Sequence, residues 1–298
     1  SGLRLTAMTP GDLEGSNIGP VAHRVDRERI AAFVAATGDS SERWTDSAPP
    51  GYAAALLFSV AGVLLNDQRI RPYLATLIHV DQQFTYHGPI EQGATIAMTG
   101  TVERVRERGG VYFVTFAAIG TSSGEVVLES RSTFLMSDQA AAETATDRQE
   151  PPADDRGPND VAADGYPLET GRIVTTSKSA SRADLVRYAA ATRDFNALHW
   201  DHEAARAAGL EGVVVHGLLV LSWMAQLAAA YSPAPAPIAT IKGRFRNALP
   251  PGEAAQIEAF VGDVAPDGRD AHVSLKVIAN GADVVTGTAV VSLTGVTP

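Results

Sequence analysis

"YAAATRDFNALHWD", residues 188–201, aligns without a gap on "FVAATGDSSERWTD", residues 33–46. Asp39 falls on Asp194, Trp44 on His199 and Asp46 on Asp201. An internal repeat of domain length is read before any single element, because it fixes the architecture. Each copy follows a stretch of helical periodicity, "DRERIAAFVAAT" (26–37) and "SRADLVRYAAAT" (181–192). Each precedes a run rich in small apolar residues, "GYAAALLFSVAGVLLN" (51–66) and "HGLLVLSWMAQLAAAY" (216–231).

The parallel continues downstream. "FTYHGPIEQG" (84–93) and "RFRNALPPG" (244–252) each end a strand-like stretch in a Pro/Gly turn. Three runs of strand character follow in each half: 94–105, 111–119 and 125–136, then 254–264, 271–279 and 283–293. Val273, Leu275 and Val277 alternate with His272, Ser274 and Lys276, the period of a strand with one buried face. A helix apolar around most of its circumference must be enclosed, and a curved antiparallel sheet wrapped around it does that. Each half is therefore an α+β unit. Between them, residues 137–170 are acidic and rich in Ala, Pro and Asp without hydrophobic periodicity, which is linker composition. The expected division is 1–136, a linker over 137–170, and 171–298. The two units form a pseudo-dimer within one chain, and a homodimer of such chains is a further expectation.

Of the 298 residues, 45% are hydrophobic and 19% charged, enough apolar content for a sizeable core. A net charge of −10 argues against a general nucleic-acid binder. There is no cysteine, hence no disulfide, thiolate nucleophile or thiolate metal site, which suits a reducing cytoplasm. The run around residues 210–232 carries Glu211, His216, Ser222 and Gln226, so it reads as a buried helix rather than a membrane span. No H-E-x-x-H, G-x-S-x-G, P-loop or dinucleotide fingerprint occurs. Neither a metal nor a nucleotide cofactor is expected.

"RDFNALHWD" (193–201) followed by "VVVHGLLVLSWMAQ" (213–226) resembles the motif of MaoC-like (R)-specific enoyl-CoA hydratases and 3-hydroxyacyl dehydratases. That pattern is Gly-Asp-x-Asn-Pro-x-His-x-Asp, then a His-Gly pair opening the central helix. Asp194, Asn196, His199, Asp201, His216 and Gly217 match it, while Arg193 replaces the glycine and Ala197 the proline. The resemblance implies two hot-dog units, the first non-catalytic because Trp44 stands where the histidine belongs. It implies reversible hydration of 2-enoyl thioesters, on coenzyme A or an acyl carrier protein, without cofactor. The implied roles are an Asp194/His199 acid–base dyad oriented by Asn196, and a thioester oxygen received by the Gly217 N–H beside His216. The first unit would shelter the acyl chain.

Other readings stay open on the residues alone. Asp194 and Asn196 could be turn caps, and Asp201 reads as a cap for "HEAARAAG" (202–209). His216 reads as an orienting rather than a reacting histidine. His23, His79, His87, His202 and His272 lack a partner pattern and read as surface or packing residues. Lys242, Arg244 and Arg246 alternate on one strand face, either to meet carrier phosphates or to blunt an exposed sheet edge. An added internal hydroxyl in place of water would make the enzyme a cyclase; loss of activity would leave an acyl-binding module.

Overall fold

The period-two runs become strands of one antiparallel sheet, and the apolar runs become two helices held in its concavity. The computed structural model describes residues 9–40, 42–137, 170–230, 232 and 234–293. In the N-terminal half, β1 (Asn17–Arg24), α1 (Arg27–Thr37) and α2 (Ala53–Leu65) precede β2 (Ile78–Tyr86), β3 (Thr95–Arg108), β4 (Val111–Ser122) and β5 (Glu125–Ser137). The C-terminal half repeats the plan with β6 (Ile173–Lys178), α3 (Arg182–Thr192), a short α4 (His202–Ala207) and α5 (Gly217–Ala229). It closes with β7 (Ile238–Phe245), β8 (Ala255–Val264), β9 (Asp270–Ala279) and β10 (Ala282–Ser292). The linker expected at 137–170 lies almost wholly outside the described residues.

The strands run in the order β1-β3-β4-β5-β2-β7-β10-β9-β8-β6. β2 and β7 form the seam, with Asp81 opposite Arg244 and Thr85 opposite Thr240. The two half-sheets are thereby one surface, and the two-unit α+β architecture is that of a double hot dog.

Local chemistry sets the helices. Asp26 caps α1 by accepting from the Arg29 N–H at 2.9 Å, and Ser181 forms a capping box with Asp184 at the start of α3. Residues Leu218 to Ala229 of α5 are all buried, and each large aliphatic or aromatic side chain there contributes about 1.5–3 kcal/mol. Val273, Leu275 and Val277 face this helix side while His272 and Ser274 face outward, as their alternation predicts. α1 and α3 meet across the pseudo-twofold, with the Phe33 and Tyr188 rings 6.0 Å apart. The turn entering α2 crosses α5 at Gly51, where a Cβ would stand 2.6 Å from Ser222 Oγ; only hydrogen fits.

The edge strands β1 and β6 are absent from the sequence expectation. They are short, and "IVTTSK" carries too few large apolar residues to announce itself. Among the described residues no helix is long and apolar enough to cross a membrane.

Candidate active site

α3 ends where Arg193 adopts a left-handed conformation (φ 65°, ψ 22°), its N–H closing the last turn on the Ala189 carbonyl at 2.7 Å. This is the position usually taken by glycine, and the first copy does hold glycine there, Gly38 at φ 59°. The chain then turns sharply. Asn196 caps the short turn Ala197–His199, its Oδ1 accepting from the Leu198 N–H at 3.2 Å. Its own N–H donates to Asp194 Oδ1 at 3.4 Å, so it orients the carboxyl through its backbone. Asp201 caps α4, accepting from the Glu203 and Ala204 N–H groups. Its counterpart Asp46 caps nothing equivalent, because the first half has no helix between that loop and α2.

The loop's return fixes the histidines. His199 Nδ1 donates to the Val214 carbonyl at 2.8 Å, which leaves Nε2 with the lone pair in the neutral ring. His216 is fully buried, donates through Nε2 to the Asp194 carbonyl at 3.2 Å, and stacks on His199 with centroids 3.6 Å apart. It thus ties the Asp194 backbone to the His199 ring.

Burial displaces the two titratable groups in opposite senses. Desolvation raises the Asp194 carboxyl, opposed in part by His199 and the Asn196 N–H. Desolvation lowers His199, opposed by Asp194 and the bond to Val214. Both groups are pushed toward their neutral forms.

Asp194, His199 and His216 also bring one ligating atom each within 4.8 Å of the others. Spacing along the chain could not show a cluster closed through the fold. A metal needs two imidazole lone pairs converging on one point about 2.0–2.1 Å away. These rings are stacked at 24°, so their lone pairs run in nearly parallel planes. That geometry does not suit an ion.

A cavity of about 330 Å³ opens on this loop, lined by Asp194, Asn196, His199 and Gly217. Its far wall comes from the other half, with Phe58, Leu65, Leu77, His79 and Phe134. Gly217 begins α5, where the first N–H groups have no partner within the helix and the dipole favours negative charge. A Cβ on Gly217 would lie 2.9 Å from the Phe245 ring, another lining side chain.

Lys242 and Arg244 are exposed in a groove over the β2–β7–β10 seam, and Arg244 stands 3.9 Å from Asp81. Arg246 lies past the end of β7, where its N–H bonds to the Val284 carbonyl, and it lines the cavity. Its Nε donates to Thr286 Oγ1 at 3.2 Å, and Thr286 lines the groove of Lys242 and Arg244, so Arg246 links that groove to the cavity. The alternative of an exposed edge falls, because β7 is paired on both sides. His79, read from sequence as a packing residue, lines the cavity; what placed it there is the seam, which no local pattern shows.

The first copy's loop is filled rather than open. Trp44 is buried, and the Arg43 guanidinium lies 4.7 Å over its ring. Arg43 donates to the Ala229 and Ser232 carbonyls at 2.7 Å each, and Lys178 donates to the Gly38 carbonyl at 2.6 Å. Arg43 plugs this loop against the end of α5.

Known proteins agree with the fold and the motif. A MaoC-like domain model matches residues 162–282, and a FAS1-like dehydratase-domain region matches residues 12–130. A UPF0336 protein of Streptomyces coelicolor is 29% identical over 111 residues, covering 33% of this chain and 74% of that protein. The mitochondrial 3-hydroxyacyl-[acyl-carrier-protein] dehydratase of Arabidopsis thaliana is 38% identical over 66 residues, covering 22% of this chain and 40% of that one. The solved structure of a MaoC-like dehydratase superposes with TM-score 0.78 at 20% identity, over 95% of this chain and 99% of its own. The chain thus joins a MaoC-like dehydratase domain to a FAS1-like dehydratase-domain region in one sheet of double hot-dog type.

Proposed function

We propose that the cavity hydrates 2-enoyl thioesters and, in reverse, dehydrates (R)-3-hydroxyacyl thioesters carried on coenzyme A or an acyl carrier protein. The observation that carries this is the opposed displacement of Asp194 and His199 beside an apolar cavity. In hydration, His199 Nε2 takes a proton from water as the oxygen bonds to Cβ. The Asp194 carboxylic acid delivers a proton to Cα, and negative charge building on the thioester oxygen is received by the Gly217 N–H. Dehydration runs the same transfers backward, and no electron acceptor is needed. Arg246, which lines the cavity and bonds to Thr286 of the groove holding Lys242 and Arg244, would meet a carrier phosphate together with them.

The division of labour follows from the walls: residues 171–298 supply the reacting groups, residues 1–136 the shelter for the acyl chain, with 137–170 between. The activity carried by the Arabidopsis relative's name supports the thioester class. The test is incubation with crotonyl and longer 2-enoyl thioesters on both carriers, following loss of the conjugated enoyl absorbance and the configuration of the product. Absence of turnover on every one would remove the reading.

A further inference from the structure

We propose that His79, contributed by the half without a dyad, makes this cavity selective for acyl chains carrying a hydrogen-bonding oxygen, hydroxyl or carbonyl, beyond the reacting carbons. The inference rests on the thioester reading above and specifies its substrate class. His79 stands near the start of β2 and lines the same cavity as Asp194 and His199. The other N-terminal side chains there are Phe58, Leu65, Leu77, Ile78, Val80 and Phe134, all apolar. One imidazole in that wall is what needs explaining.

Its Nε2 is buried and has no hydrogen-bond partner. Buried polar atoms are nearly always paired, and leaving one unpaired costs about 1–3 kcal/mol. The ring lies between Phe134 and Phe245, with centroids 4.7 and 5.1 Å away. Both rings are tilted against it, at 39° and 52°. Burial holds its pKa down at about 4, against the pull of the Asp81 backbone and the Gln82 side chain. The ring is therefore neutral near pH 7, and the unpaired Nε2 carries either the N–H or the lone pair, according to the tautomer. It can serve a hydroxyl or a carbonyl but offers no charge for a carboxylate.

Position sets the reach. Phe245 is the ring that a Cβ on Gly217 would strike. His79 therefore packs on the ring nearest the point where the thioester oxygen would sit. The repeat adds a contrast: laying 79–93 without gaps on 238–252 puts Ile238, buried and aliphatic, opposite His79. The imidazole is particular to the strand that walls the reactive cavity.

The experiment compares kcat/KM of wild type and His79→Leu on 2-octenoyl-CoA and on analogues bearing a keto or hydroxyl group at successive carbons beyond the double bond. Wild type should favour at least one oxygenated chain over the plain one by about tenfold, the worth of one hydrogen bond plus relief of an unpaired group. His79→Leu should abolish or reverse that preference, and His79→Gln, which keeps a donor and an acceptor, should retain it. The same ratios read as melting shifts on Asp194→Asn, with and without His79→Leu, need no turnover. Loss of turnover with the binding preference intact would remove the hydration reading alone. A preference for the plain chain, or one ratio shared by wild type and His79→Leu in both assays, would overturn the proposal.

Discussion

α1 and α3 end alike. Thr37 donates its hydroxyl to the Phe33 carbonyl at 2.9 Å, and Thr192 donates to the Tyr188 carbonyl at 2.7 Å. Each helix then leaves through a left-handed residue into an aspartate, half-buried at Asp39 and buried at Asp194. Beyond that point the loops diverge. The loop after Arg193 presents Asp194 and His199 to a cavity; the loop after Gly38 inserts Arg43 and Trp44 against the carbonyl end of α5. Two chain stretches with the same backbone plan can thus supply a reacting site and a structural clamp. The difference lies in what faces each loop. The first loop meets the end of α5, which needs donors; the second meets α2 and β2, which leave an apolar space.

The contrast breaks most directly at the dyad. His199→Ala and Asp194→Asn should each lower turnover by about 10²–10⁴-fold, whereas Asp39→Ala should leave turnover per folded molecule near wild type. Equal losses at Asp39 and Asp194 in steady-state assays of folded protein would make the two loops equivalent after all.

Next in size is Gly217→Val. The N–H survives, but the side chain must displace Phe245 and crowd the approach to the helix start, so kcat should fall by about 10²–10³-fold. Kinetics and melting are read on one preparation; normal turnover per folded molecule alongside early melting would reduce Gly217 to a packing residue.

The pH profile sharpens the same contrast. Hydration needs neutral His199 and protonated Asp194, a coupled pair. Because burial lowers the histidine, the acid limb should lie below its ordinary 6.5; because burial raises the carboxyl, the alkaline limb should lie above its ordinary 3.8. A raised carboxyl contributes its full stability below the unfolded value and loses it as pH rises through the folded value. Asp194→Asn should therefore melt higher than wild type near pH 7. An acid limb at or above 6.5, or a less stable Asn variant, would contradict the buried acid–base pair.

Arg43→Ala probes the clamp. Losing two charge-assisted bonds to the Ala229 and Ser232 carbonyls should cost about 2 kcal/mol, seen as a melting temperature several degrees lower with kcat/KM per folded molecule close to wild type. A selective loss of kcat would mean that the clamp also aims the start of α5.

The smallest effect is at the helix exit. Arg193 occupies a left-handed position at φ 65°, so Arg193→Gly, which restores the residue of the first copy, should stabilise by about 1 kcal/mol. A denaturation midpoint that moves down instead would show that the arginine side chain holds the loop.

Much of this was legible in the sequence. The repeat, the paired helices, the six strands that follow the two Pro/Gly turns and the Asp194/His199 motif follow from periodicity and spacing, which are properties of contiguous chain. A helix with apolar residues all round and strands alternating every second residue admit few ways of burying both. Tertiary structure alone decided the rest. β2 pairing with β7 made one sheet of two and carried His79 to the cavity that holds His199. Desolvation by that closed assembly also raises the Asp194 pKa and lowers that of His199, pushing both toward their neutral forms. Burial depends on the chain segments that come to lie around a group, and those that surround this dyad are far from it in sequence.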